Sequence, residues 1–120
     1  MSDMTNGTIF AVVVTYNRKD LLKECLEALL KQTYENLIVS IIDNASTDGT
    51  KESVAGYIDG EKVHYYNTGA NLGGAGGFNY GMKIAAGKEN CDYIWILDDD
   101  TIPEPDAAER LIRAGGGGRQ

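Results

Sequence analysis

Two cysteines, two prolines and a single histidine in 120 residues remove several kinds of protein at the outset. Cys25 and Cys91 are too few for a disulfide scaffold, and Cys25 falls on the apolar stripe of a predicted helix, so both are expected as reduced thiols of a cytoplasmic protein. The lone histidine, His64, sits beside tyrosines in a predicted strand, where a histidine is more often structural than a ligand. Positive charge is scarce as well. Eleven Lys and Arg against eighteen Asp and Glu leave a net charge of -7, which argues against a nucleic-acid surface, because phosphates must be neutralised by clustered cations. A phosphate-bearing ligand of such a chain has to be met by metal or by backbone N–H groups. No apolar run approaches the length of about 20 residues that crosses a bilayer, and the opening "MSDMTNGT" is polar, unlike a secretory signal.

What the chain has in excess is glycine, at 15 residues, against an average usage of about 7%. It is concentrated in "NLGGAGGFNYG", Asn71 to Gly81, and in "AGGGGRQ", Ala114 to Gln120. The second tract has nothing to pack and is expected to be a flexible tail, where the chain was cut or a linker begins. The predicted organisation is an N-terminal tail over 1–8, one domain over 9–114 and a glycine-rich tail over 115–120. A hydrophobic fraction of 42% and a charged fraction of 24% are ordinary for a globular chain of this size.

Strand and helix patterns alternate. "IFAVVV", Ile9 to Val14, is a continuous run of β-formers, and "NRKDLLKECLEALLKQ" places Leu21, Leu22, Cys25, Leu26, Leu29 and Leu30 on one helical stripe, with Asn17 as the expected N-cap and Asp20 three residues on. "LIVSII", Leu37 to Ile42, predicts a second buried strand. A weaker helix follows from about Lys51 to Ile58, with Val54, Tyr57 and Ile58 inward, and "KVHYYNT" predicts a third strand. "GGFNYGMKIAAG" predicts a helix with Phe78, Met82 and Ala85 inward; "YIWIL", Tyr93 to Leu97, predicts a fourth strand buried on both faces. A last helix is predicted over Asp106 to Ala114, after Pro103 and Pro105. A period of about 25 residues per strand-plus-helix pair is that of βαβ units, which close right-handedly into a Rossmann-like α/β fold, a parallel sheet with helices on both faces.

That fold joins distant residues. Parallel strands all point one way, so Thr15, Tyr16 and Asn17, then Asp43 and Asn44, then Asn67, then Asp98, Asp99 and Asp100 emerge along one edge, where open α/β sheets bind ligands. Three adjacent aspartates repel one another and lose solvation unless something positive shares the site, and a divalent cation held by hard carboxylate oxygens is the usual partner. A solvated acidic turn or helix cap is the alternative for these residues alone. The glycine tract is neither a dinucleotide fingerprint, since Asn79 stands where the sixth position needs glycine, nor a P-loop, since Gly81 to Gly87 is one residue too long and Glu89 follows Lys88. It is a small-residue entry to a helix, suited either to an anion at the helix N-terminus or to close packing of helix on sheet.

Together "VVVTYNRKDLLKECLEALLKQTY", "IIDNASTDGT", "NLGGAGGFNYGM" and "WILDDDT" resemble the successive N-terminal blocks of family 2 glycosyltransferases, in order and with the family's spacing. The "NLGGAGGF" version is similar to the branch containing rhamnosyltransferases and galactofuranosyltransferases. The resemblance implies a GT-A fold of about four strands, with the later part of the domain missing. It implies a nucleotide-diphospho-sugar donor, a UDP- or dTDP-sugar, held through Mg²⁺ or Mn²⁺, and inverting transfer to a glycan or lipid-linked acceptor in polysaccharide or cell-envelope glycan synthesis. Thr15 and Tyr16 match residues lining the nucleotide pocket, Asp43 the acid that accepts from a pyrimidine base, and "DDD" the DxD element, with Asp98 or Asp99 near the ribose and Asp98 and Asp100 as metal ligands. Asn17, Arg18, Asn44, Asn71 and Gly76 complete the candidate nucleotide contacts.

The family's catalytic base lies in the second half of its domain. No residue here matches it: Glu109 falls on a helix flank, so the catalytic residue is unassigned and this donor-binding piece is expected to be inactive alone, and to self-associate through an exposed sheet edge. The full-length protein is placed in the cytoplasm, at the inner face of the membrane. Two other functions compete. A nucleotidyltransferase-like protein normally carries a glycine-rich loop after its first strand, where this chain has "TYNRKD". A receiver-like module would need an acidic pair there, and it is absent; a non-catalytic nucleotide-sugar sensor would share the donor site.

Overall fold

A computed structural model describes residues 7–116. Four strands, β1 Ile9–Thr15, β2 Leu37–Asp43, β3 Val63–Asn67 and β4 Tyr93–Asp98, form one sheet in the order β3-β2-β1-β4. Every pairing is parallel. The helices are α1 Lys19–Leu30, α2 Thr50–Val54 continued by a 3₁₀ turn at Ala55–Tyr57, α3 Gly73–Ala86 and α4 Ala107–Gly116. Thr8 is tied into the fold, its N–H donating to Asp92 Oδ2 at 2.8 Å. Residues 1–6 and 117–120, including most of the two predicted tails, lie outside the described residues.

The alternation of β1 divides the core. Ile9, Ala11 and Val13 face Leu22, Cys25, Leu26 and Leu29 of α1, Val54 of α2, and Ala108 and Ile112 of α4, whereas Phe10 and Val12 face Ala85 of α3. Helices on both faces explain why β1 is apolar from Ile9 to Val14 and β2 is apolar from Leu37 to Ile42 but for the buried Ser40. Burying one of these leucines contributes about 1.5–3 kcal/mol.

Four expectations are corrected. β4 is not buried on both faces: Ile94 and Ile96 are 38% and 48% exposed, while Leu97 is 4% exposed. β4 is an outer strand, as β3 is at the other edge, and α3 lies over β1 and β2, leaving one β4 face open. Leu21 is 39% exposed, because the inward stripe of α1 runs through Leu22, Cys25, Leu26 and Leu29 and leaves position 21 on its flank. Asn17 does not cap α1; its φ of 53° places it in the preceding turn, Arg18 is the cap residue, and the N–H of Lys19 donates instead to Asp48 Oδ2 at 3.2 Å. Finally, α3 begins at Gly73 and buries Gly77, Gly81 and Ala85, while Phe78 and Met82 are only half-buried. The helix sits too close to the sheet for a larger side chain on that face.

Candidate functional site

The register of the sheet sets the site. Thr15 pairs with Asp43 and Asp43 with Asn67 in one row, and Asp98 lies beside Val14. At this edge a cleft of about 460 Å³ opens between the exits of β1 and β4 and the start of α3. Val14, Thr15, Tyr16, Arg18 and Asn44 line it from the exits of β1 and β2, Asp98, Asp99 and Asp100 from β4, and Asn71, Gly73, Gly74 and Phe78 from the glycine tract.

The three aspartates divide by direction. Asp99 is turned inward and 5% exposed, whereas Asp98 and Asp100 are exposed. Asp99 Oδ2 accepts from Thr15 Oγ1 at 3.0 Å, and Arg18 Nη1 lies 3.4 Å from Asp99 Oδ1 and 4.0 Å from Asp100 Oδ2. Burial holds the Asp99 carboxyl above its usual range, opposed by the Thr15 hydrogen bond and the Arg18 charge and reinforced by Asp100 and Asp98. One guanidinium, half in solvent, answers three carboxylates, so the acid side of the cleft keeps unneutralised negative charge.

Directly behind it lies Cys25, its thiol 3.9 Å from the backbone carbonyl of Asp98. Burial, with the charges of Asp99 and Asp100, pushes that thiol up to about 12.

Not every candidate reaches the cleft. Asp43 is buried behind it: its Oδ1 accepts from the Ser46 N–H at 2.9 Å and its Oδ2 from the Tyr65 hydroxyl. Asn17 faces the neighbouring turn, where its Oδ1 accepts from the Thr47 N–H at 2.7 Å. Gly76 is also off the wall; Gly73 and Gly74 stand there instead. Asn71 lines the cleft and holds the Gly73 N–H on its Oδ1 at 3.0 Å. Tyr65 and Asp48 were not singled out by the sequence: a strand tyrosine and a turn aspartate carry no local signal of a partner some twenty or thirty residues away. Gly73 and Gly74 are missed by three residues or fewer: the sequence predicts a helix from Gly76, whereas it begins at Gly73 and puts the first two glycines of the tract on the cleft wall.

Among the described residues no three Asp, Glu, His or Cys side chains converge to hold a metal by themselves. Asp98 and Asp100 still fit one. Mg²⁺ and Mn²⁺ sites commonly take one or two carboxylates and complete their oxygen shell with substrate phosphates and water.

A doubly wound parallel sheet with its cleft and acids at the carboxyl edge defines a ligand-binding α/β domain of the nucleotide-binding type. The Glycosyl transferase family 2 pattern matches residues 10–115, and the chain belongs to that family. It is 40% identical over 95 residues to galactofuranosyltransferase GlfT1 of Mycobacterium tuberculosis H37Rv, covering 78% of this chain and 30% of that protein. It is 35% identical over 109 residues to glycosyltransferase GlyG of Streptococcus pneumoniae serotype 4, covering 88% and 34%. Among solved structures, S. aureus TarS in complex with UDP superposes with a TM-score of 0.76 at 24% identity, covering 88% of this chain and 31% of that one. The mannosyltransferase PcManGT of Pyrobaculum calidifontis, in complex with GDP-Man and Mn²⁺, gives 0.71 at 24% identity, covering 90% and 31%. These likenesses show the GT-A fold. The chain spans about a third of the length of the proteins it matches.

Proposed function

We propose that this chain is the donor-binding portion of an inverting glycosyltransferase that takes a nucleotide-diphospho-sugar together with Mg²⁺ or Mn²⁺, for polysaccharide or cell-envelope glycan synthesis. The observation that carries the reading is the split orientation of the acids, with Asp98 and Asp100 exposed on either side of an inward Asp99, in a cleft whose far side is the glycine start of α3. A diphosphate is repelled by such a wall unless a cation lies between them. Bound there, the metal supplies Lewis-acid stabilisation of charge on the departing diphosphate.

The chain's own residues bind and orient. Asp98 and Asp100 offer oxygen ligands, and Thr15 and Arg18 keep the Asp99 carboxylate paired, which holds the β4 turn in one geometry. Tyr16, exposed at the exit of β1, offers a ring for a base or sugar to lie against. Gly73 and Gly74 leave backbone within reach of the ligand. The base that deprotonates the acceptor hydroxyl belongs to the remaining length of a protein of this family, so this portion binds donor without turning it over.

The test is a thermal-shift panel of UDP, dTDP and GDP, each with Mn²⁺ or with EDTA. Ligand at 100 times its dissociation constant stabilises by about 2.7 kcal/mol. Stabilisation is expected only with metal and is lost in Asp100→Ala. Equal shifts in EDTA would sink the proposal.

A further inference from the structure

Asn44 lies on the cleft wall yet is only 2% exposed, and its polar groups are committed to protein. Its backbone N–H donates to the Thr15 carbonyl at 3.0 Å. Its side-chain Nδ2 donates to the Gly73 carbonyl at 3.0 Å, and its Oδ1 accepts from Thr68 Oγ1 at 3.1 Å. Thr68 in turn donates its N–H to the Asp43 carbonyl at 2.9 Å and shares its hydroxyl proton with the Ala70 carbonyl at 2.5 Å. One residue thus joins three segments: its backbone N–H reaches the end of β1, and its side-chain amide reaches the turn after β3 and the first residue of α3.

The helix is shaped to receive it. A methyl carbon on Gly77 would stand 3.1 Å from Asn44 Nδ2 and 2.6 Å from Val14 Cγ1. Gly73 adopts a φ of +77°, so the turn into α3 is held in a conformation with little intrinsic preference for being kept. The Asn44 bond to its carbonyl supplies the restraint from outside the turn.

Resting on the reading that the cleft takes a nucleotide diphosphate, we infer that Asn44 is a positioning residue that sets the Gly73–Gly74 side of the cleft against the aspartates through its bond to Gly73, rather than a ligand contact. Its loss leaves the other cleft residues chemically unchanged but frees one wall to drift, so the donor pays for ordering that wall on binding.

The test compares Asn44→Ala with Thr68→Val, which removes a hydroxyl that lines no part of the cleft. UDP with Mn²⁺ is titrated calorimetrically, and amide hydrogen exchange is followed over residues 73–78 without ligand. Both variants are expected to exchange faster at 73–78 than elsewhere relative to wild type. UDP affinity is expected to fall by about tenfold in Asn44→Ala and by about threefold in Thr68→Val, the scale of one lost hydrogen bond. Weakened binding in Asn44→Ala with unchanged binding in Thr68→Val would make Asn44 a direct contact and overturn the inference. Uniformly faster exchange with unaltered affinity would reduce the role of Asn44 to ordinary stability and overturn it equally. Should wild type ignore UDP, dTDP and GDP alike, the functional reading falls, and the exchange comparison still decides whether Asn44 holds the start of α3.

Discussion

Gly81 presses on Val12: a methyl carbon built on it would stand 2.5 Å from Val12 Cγ1 and 2.8 Å from Ile42 Cγ1. Both neighbours are fully buried β-branched side chains at the centre of the sheet, with no open space to move into. Gly81→Ala is therefore expected to destabilise by about 1–3 kcal/mol through overpacking, despite the roughly 1 kcal/mol that alanine gains over glycine in a helix. Gly74→Ala is the control, since nothing lies within 4 Å of its added carbon. It should leave the urea midpoint unchanged or raise it; a fall equal to that of Gly81→Ala would refute the packing account.

The Tyr65–Asp43 bond predicts an alkaline slope. Burial, and then the bond to Asp43, raises the Tyr65 hydroxyl above its ordinary value of 10.0. The folded chain keeps that proton where the unfolded chain has released it, so the folded state binds more protons and stability falls as pH rises. The contribution is intact below about pH 10, the ordinary tyrosine value, and is lost above it. Tyr65→Phe should cost about 1–3 kcal/mol at neutral pH by leaving a buried carboxylate oxygen short of a donor. It should also flatten, without abolishing, the loss of stability above pH 10, because burial raises Tyr34 and the bond to Glu27 raises Tyr57. An unchanged alkaline slope in denaturation curves would contradict this.

The two thiols should separate in alkylation. Cys25 is fully buried and its thiol is pushed up to about 12, whereas Cys91 is half-buried. Because the thiolate is the nucleophile, iodoacetamide under native conditions should label Cys91 slowly and Cys25 only after denaturant is added. Mass spectrometry showing equal labelling would mean that the core behind the aspartates opens readily.

The open face of β4 makes self-association the expected behaviour of this chain at high concentration. Ile94, Ile96 and Leu111 are all well exposed, and outer strands with exposed apolar side chains tend to pair. Ile96→Lys should lower the weight-average mass in sedimentation equilibrium with little effect on stability. Equal association in wild type and variant would discard the idea.

The sequence was most legible where one residue type answers one physical demand. The apolar runs of Ile9 to Val14 and Leu37 to Ile42 named the two central strands, because only strands covered on both faces tolerate them. The turn acids followed from the parallel topology, which brought Thr15, Asn44 and Asp98 to Asp100 into one cleft. What stayed hidden depends on tertiary distance. Hydrophobicity suggested that Phe78, Met82 and Ala85 face the sheet; Ala85 is buried and Phe78 packs at the margin of that core, but the spacing between α3 and β1 selected Gly77 and Gly81 for the closest approach. "YIWIL" has the composition of a central strand, and nothing local to it states that among the described residues it pairs on one side only. Asp43 is placed at the ligand edge by its position at a strand end and given its base contact by the family resemblance; its depth and its bond to Tyr65 depend on the β2–β3 register and carry no local signal.

The turns that leave β1 and β2 are stitched to each other: Asn17 N–H to Ser46 Oγ at 2.8 Å, Thr47 N–H to Asn17 Oδ1 at 2.7 Å, and Lys19 N–H to Asp48 Oδ2 at 3.2 Å. Asn17 in one turn and Ala45 in the other have φ of 53° and 64°, conformations each turn would rarely hold by itself. Exchange of either segment alone would therefore separate the two halves of this bonded pair of turns, and exchange of the second would also put at risk the Asp48 carboxylate at the head of α1. Chimeras built to change what the cleft accepts will have to carry residues 15–19 and 44–48 across as a pair.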